Sequence, residues 1–69
     1  MEDVTYAIQS FDGHEWCDEG HVGNKLSYGV SELDKYLSCF PHTWARLIML
    51  ENTGEFLDIV ITVPGTIKH

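Results

Sequence analysis

Two glycine turns, Asp12-Gly13 and Asn52-Thr53-Gly54, each separate β-prone apolar runs, and one helical stripe lies between them. A chain punctuated in this way is committed to two hairpins. Upstream of the first turn, Val4, Tyr6 and Ile8 alternate with Thr5, Ala7 and Gln9, and Phe11 closes the run. A period of two marks a half-buried strand, here residues 4–11. Asp-Gly is the dipeptide best suited to a type I′ turn, so His14-Glu15-Trp16-Cys17-Asp18 is expected to return antiparallel.

Between Glu19 and Gly29 the chain carries Gly20, Gly23, Asn24 and Gly29 among polar residues, a composition that reads as a loop with room for a short strand at Leu26-Ser27-Tyr28. Ser31 then precedes Glu32-Leu33-Asp34, where a hydroxyl can cap a helix and early acids suit its positive end. Leu33, Tyr36, Leu37 and Phe40 recur at i, i+3, i+4 and i+7, and Pro41 ends the helix soon after Cys39.

The runs from Thr43 to Glu51 and from Phe56 to Val63 are rich in Ile, Leu and Val, and Gly54 is placed at the left-handed position of a three-residue turn. That turn sets an expected register: Leu50 opposite Phe56, Met49 opposite Leu57, Leu47 opposite Ile59, Ala45 opposite Ile61. One face, built by Ala45, Leu47, Met49, Leu57, Ile59 and Ile61, is then wholly apolar and is expected to receive the helix. The other carries Trp44, Arg46, Ile48, Leu50, Phe56, Asp58, Val60 and Thr62, with Arg46 and Asp58 near enough to pair. The expected fold class is α+β, a small antiparallel sheet of two hairpins in the order ββαββ with one short helix on one face.

Sixty-nine residues hold a single domain, near the lower size limit for a fold resting on a hydrophobic core alone. Apolar residues make up 43% of the chain, which is the composition of a globule and not of a disordered acidic tail. No apolar run approaches the roughly 20 residues of a membrane span, and Met1-Glu2-Asp3 is acidic where a secretory signal is basic. Cytoplasmic location and reduced thiols are the expectations.

The net charge of −7 comes from eleven acids against four bases. It is uneven: Glu2, Asp3, Asp12, Glu15, Asp18 and Glu19 fall in residues 1–24, which hold no Lys or Arg. Such a surface repels phosphate and anionic lipid, so direct nucleic-acid binding and membrane attachment are not expected, whereas a basic protein groove attracts it. Asp12, Glu15, Asp18 and Glu19 are the candidate partner-binding acids, with Trp16 among them as an aromatic anchor. The plainer reading makes the acids a solvated face and Trp16 and Trp44 core aromatics.

His14-x-x-Cys17 and Cys39-x-x-His42 form two pairs of metal-ligand type, the ingredients of a tetrahedral zinc site. Against that, residues three apart on a strand point to opposite faces, and buried Cys with surface His is the simpler account. No phosphate cradle, dinucleotide fingerprint or catalytic carboxylate pair is present, and neither an enzyme nor a cofactor is expected. A monomer or weak dimer is the expected state.

In size, acidity, expected cytosolic character and sheet-plus-helix layout the chain resembles the anti-CRISPR proteins of phages and mobile elements. The resemblance transfers no residue role. It implies an inhibitor that binds a CRISPR effector subunit in the host bacterial cytoplasm and resembles DNA to its basic groove. Two other readings stand beside it: a zinc-stapled interaction module, and an antitoxin-like neutraliser of a basic toxin.

Overall fold

The computed structural model describes residues 4–66. Four strands and one helix follow the order β1 (Val4–Phe11), β2 (Trp16–His21), α1 (Leu26–Cys39), β3 (Ala45–Glu51) and β4 (Phe56–Val63). They form one antiparallel sheet in the order β2-β1-β3-β4. The α+β class and the ββαββ order are as expected. Each hairpin contributes one central strand, and β1 joins β3 through seven registered pairs from Val4–Glu51 to Ser10–Ala45. Strands β2 and β3 run parallel with β1 between them, and α1 makes the crossover.

The first turn differs from the expected two-residue type I′ turn. Phe11 pairs with Trp16, so Asp12-Gly13-His14-Glu15 form a four-residue connection. Of these only Gly13 has positive φ, at 102°, whereas a type I′ turn needs two such residues. The Asp12 carboxylate takes over instead: Oδ1 accepts the backbone N–H groups of His14 at 2.7 Å and Glu15 at 2.9 Å, winding the loop around itself.

The helix begins six residues earlier than expected, at Leu26 and not after Ser31, and neither the loop through Gly29 nor a strand at Leu26-Ser27-Tyr28 exists. Lys25 occupies the N-cap with no side-chain hydrogen bond, so Ser31 lies within the helix. Gly29 conceals the first turn's inward stripe. It is buried where the stripe would place an apolar side chain, and a Cβ there would lie 3.3 Å from both Leu47 methyls and from Val22 Cγ2. The residue read as a loop signal is the point of closest approach between helix and sheet. The far end is as expected: the Phe40 N–H closes on the Tyr36 carbonyl and Pro41 follows.

The β3–β4 turn forms around Gly54, whose φ is 95°, and Leu50 opposes Phe56 as expected. Beyond that pair the expected register fails. Bulges between Met49 and Leu50 and between Leu47 and Ile48 bring Met49 opposite Asp58, Leu47 opposite Ile61 and Ala45 opposite Val63. Each bulge inserts one extra β4 residue and turns the strand's later side chains to the other face.

The core therefore lies over β1 and β3. Ile8, Val22, Leu33, Ala45 and Leu47 form the cluster beneath α1, flanked by Tyr6, Tyr36, Leu37 and Val63. Helix α1 packs on β3 and β1 and reaches neither β2 nor β4. Leu57, Ile59 and Ile61, expected under the helix, are instead exposed. On the opposite face Ala7, Ile48 and Leu50 make a second, smaller cluster that no helix covers. Among the described residues no helix is long and apolar enough to cross a membrane.

Candidate functional site

The open face of the sheet carries the best-developed polar and aromatic constellation of the molecule. Alternation along β1, β2 and β3 brings Gln9, Asp18 and Arg46 to this face, in registered pairs Gln9–Asp18 and Gln9–Arg46. The Gln9 amide bridges its two neighbours: its oxygen accepts Arg46 Nε–H at 2.8 Å, and its nitrogen donates to Asp18 Oδ1 at 2.7 Å. The guanidinium carbon of Arg46 stands 4.3 Å from the Trp16 ring centroid, within cation–π range. Trp16 also leans on Phe11, with centroids 5.3 Å apart and planes at 48°.

Trp44, immediately before β3, completes this group. Phe11, Trp16 and Trp44 line a shallow apolar depression of about 320 Å³ at the β1–β2 turn end of the sheet. Trp44 is 47% exposed and Phe11 37%, so two of the three rings present broad faces to solvent. Trp16 is half-buried, with its ring held between Phe11 and Arg46. It is thus neither a core aromatic nor a free anchor but the fixed floor of an exposed aromatic patch.

The four acids singled out in the sequence have different surroundings. Asp12 is engaged within its own turn, and the two backbone N–H groups it accepts, from Glu15 and His14, hold its carboxyl below the ordinary range. Glu15 is solvent-exposed in the same turn. Asp18 and Glu19 leave β2 on opposite sides: Asp18 joins Gln9 on the open face, whereas Glu19 accepts the Ser10 hydroxyl at 2.6 Å on the helix side. Ordinary alternation along the strand gives this split, and Glu19 is the extra residue of the bulge between Ile8 and Gln9. Glu2 and Asp3, which add to the acidic N-terminal third, lie outside the described residues.

The zinc arrangement does not assemble. Among the described residues no group of three or more His, Cys, Asp or Glu side chains is placed to hold a metal ion. Cys17 Sγ lies 3.6 Å from Asp12 Oδ2, Cys39 is exposed on α1, and His42 Nδ1 lies 2.8 Å from the Thr66 carbonyl oxygen. His14 sits in the exposed β1–β2 turn. Partial desolvation, then the Asp12 charge, push the Cys17 thiol above its usual value, the opposite of what a thiolate ligand or nucleophile needs.

The Arg46–Asp58 pair expected across the second hairpin is also absent. Asp58 Oδ1 accepts the neighbouring Ile59 N–H at 2.8 Å, while Arg46 turns to Gln9 and Trp16. The sequence reading missed Gln9 and Phe11 as members of the site. An aromatic pair flanking the first turn was the available signal for Phe11; nothing local marks Gln9. A second cleft of about 390 Å³ lies between α1 and β2, with Glu19, His21, Glu32, Tyr36 and Cys39 on its walls and Lys35 paired to Glu32 at 3.1 Å.

No protein-family model, curated protein or solved structure matches the chain.

Proposed function

We propose that this protein acts by binding a basic surface on another protein, with the β1–β2 hairpin as the contact. The observation that carries the reading is the juxtaposition of the Phe11-Trp16-Trp44 patch with the acids of the same hairpin. Aromatic rings flanked by charge supply both parts of a protein contact: carboxylates steer a cationic partner in, and the rings bury apolar area once it arrives.

Carboxylates on both sides of one sheet edge suit insertion into a groove better than docking on a flat surface. Glu15, Asp18 and Glu19 can meet Lys and Arg on two walls, while Asp12 shapes the turn. A groove lined by cations on both walls is the signature of a nucleic-acid channel, so the proposed partner is a basic nucleic-acid-binding protein, and the proposed effect is inhibition by occupying the phosphate positions. A CRISPR effector subunit is the candidate that the anti-CRISPR resemblance implies.

The test is capture of the tagged protein's partner from a bacterial lysate carrying a CRISPR effector complex, with elution along a salt gradient and competition by duplex DNA. Recovery of a basic subunit that is released by salt and by DNA, and lost with Glu15→Gln, Asp18→Asn and Glu19→Gln together, supports the proposal. A partner that DNA fails to displace and the triple variant still holds overturns the mimicry.

A further inference from the structure

Strand β4 has the composition of a central strand and the position of an edge strand. It lies last in the sheet order, and its outer side has no neighbour among the described residues. Its eight residues, Phe-Leu-Asp-Ile-Val-Ile-Thr-Val, contain no Pro, no Lys and one charge. Phe56, Leu57, Ile59, Val60 and Ile61 are between 38% and 51% exposed, and α1 does not reach them. Paired positions put Phe56 and Ile59 on the open face with Leu50 and Ile48, and Ile61 on the helix face with Leu47. Edge strands normally carry charge, Pro, bulges or a cover against pairing; β4 has two bulges and Asp58, but its apolar side chains stand exposed on both faces.

We propose that β4 pairs antiparallel with β4 of a second copy of this chain, making one eight-stranded sheet across a two-fold axis. An antiparallel strand pair about a two-fold is self-complementary, so a single edge supplies both halves of the ladder. Charge does not stand against a second copy at this edge. The acidic hairpin tip and β2 lie at the opposite side of the sheet, and joining at β4 leaves the two β2 edges about 34 Å apart at ordinary strand spacing. That exceeds the Debye length of about 8 Å at physiological salt several-fold, so two chains of −7 meet through the less charged of their two edge strands. Antiparallel pairing also sets the Glu51 and Glu55 turn of one copy beside the Pro64 end of the other, where a parallel arrangement would align the two turns.

The inference rests on β4 alone and stands or falls apart from the proposed function. Sedimentation and light scattering of the full chain over a concentration series read the association directly. The expected result is a dimer that depends weakly on salt, and that Ile59→Lys or Ile61→Lys weakens by about tenfold or more in dissociation constant. Amide exchange of the unaltered chain gives an independent reading: β4 amides gain protection as concentration rises, while α1 amides do not. A chain that stays monomeric to about 1 mM overturns the proposal and leaves the edge to a strand of another protein. So does a dimer that both Lys variants leave intact, or one with β4 amide exchange independent of concentration.

Discussion

Arg46 lies over Trp16, its guanidinium carbon 4.3 Å from the ring centroid, although the two residues sit on strands that are not neighbours in the sheet. The side chain crosses β1 to reach β2, and Gln9 on β1 holds it there through a 2.8 Å hydrogen bond to Nε. This contact ties the acidic edge strand to the core strand β3.

Removing it has a predictable size. Arg46→Lys keeps the charge but loses the flat guanidinium and the Nε–H, and should destabilise the fold by about 0.5–1.5 kcal/mol. A double-mutant cycle of Arg46→Lys with Trp16→Leu, followed by urea unfolding, isolates the pair; additive effects would show that Arg46 and Trp16 are not coupled.

The helix seat makes a second prediction. Leu47 is fully buried and touches the space beside Gly29. Leu47→Ala opens a cavity under α1 and should lower stability by about 2–5 kcal/mol, close to the whole stability of so small a domain. Gly29→Leu should be comparably damaging by forcing the helix off the sheet, and loss of far-UV helical signal at moderate temperature would report both.

Gly65 is constrained by contact and not by its own φ. A Cβ at this position would overlap the His42 carbonyl group, at a point where the Thr66 N–H bonds the Pro41 carbonyl at 2.8 Å and the Thr66 carbonyl meets His42. The segment after β4 is thereby strapped to the α1–β3 connection. Gly65→Ala should release that strap and destabilise by about 1–3 kcal/mol. Its thermal midpoint is the measurement, and an unchanged midpoint would show that the strap contributes nothing.

Acid should loosen the first turn through Asp12. Its carboxyl is held below the ordinary value in the folded chain, so it contributes stability above the unfolded value of about 3.9 that is lost as pH falls through the folded value. Asp12→Asn keeps an acceptor oxygen for the same N–H groups without the charge. The unaltered chain should be the more stable at about pH 6, with the difference shrinking as pH falls below the unfolded value.

The same substitution should expose Cys17 chemically. Desolvation and then the Asp12 charge raise its thiol pKa, so Cys17 should react with an alkylating reagent more slowly than exposed Cys39 near neutral pH. Asp12→Asn should speed Cys17 labelling at a given pH, measured by peptide mass after a timed pulse. Equal rates in both chains would mean the charge does not act on the thiol.

Local pattern by itself determined the strands β1, β3 and β4, the place of the first turn, the turn around Gly54, the C-terminal end of α1 and the α+β class, because alternation, turn chemistry and Pro41 act between residues close in sequence. It also singled out Trp16 among acids. The tertiary structure decided the rest. Gly29 reads as a loop breaker until the sheet is beneath it and only a missing side chain permits the approach. The two β4 bulges shift the register with no local mark, and the strand order with α1 seated on β1 and β3 left the apolar strand expected under the helix as an exposed edge. Arg46 was matched to Asp58 by hairpin neighbourhood, but pairing of β1 with β3 set Gln9 beside it instead. Strand order depends on which surfaces bury each other, a property of the whole chain that no window of sequence contains.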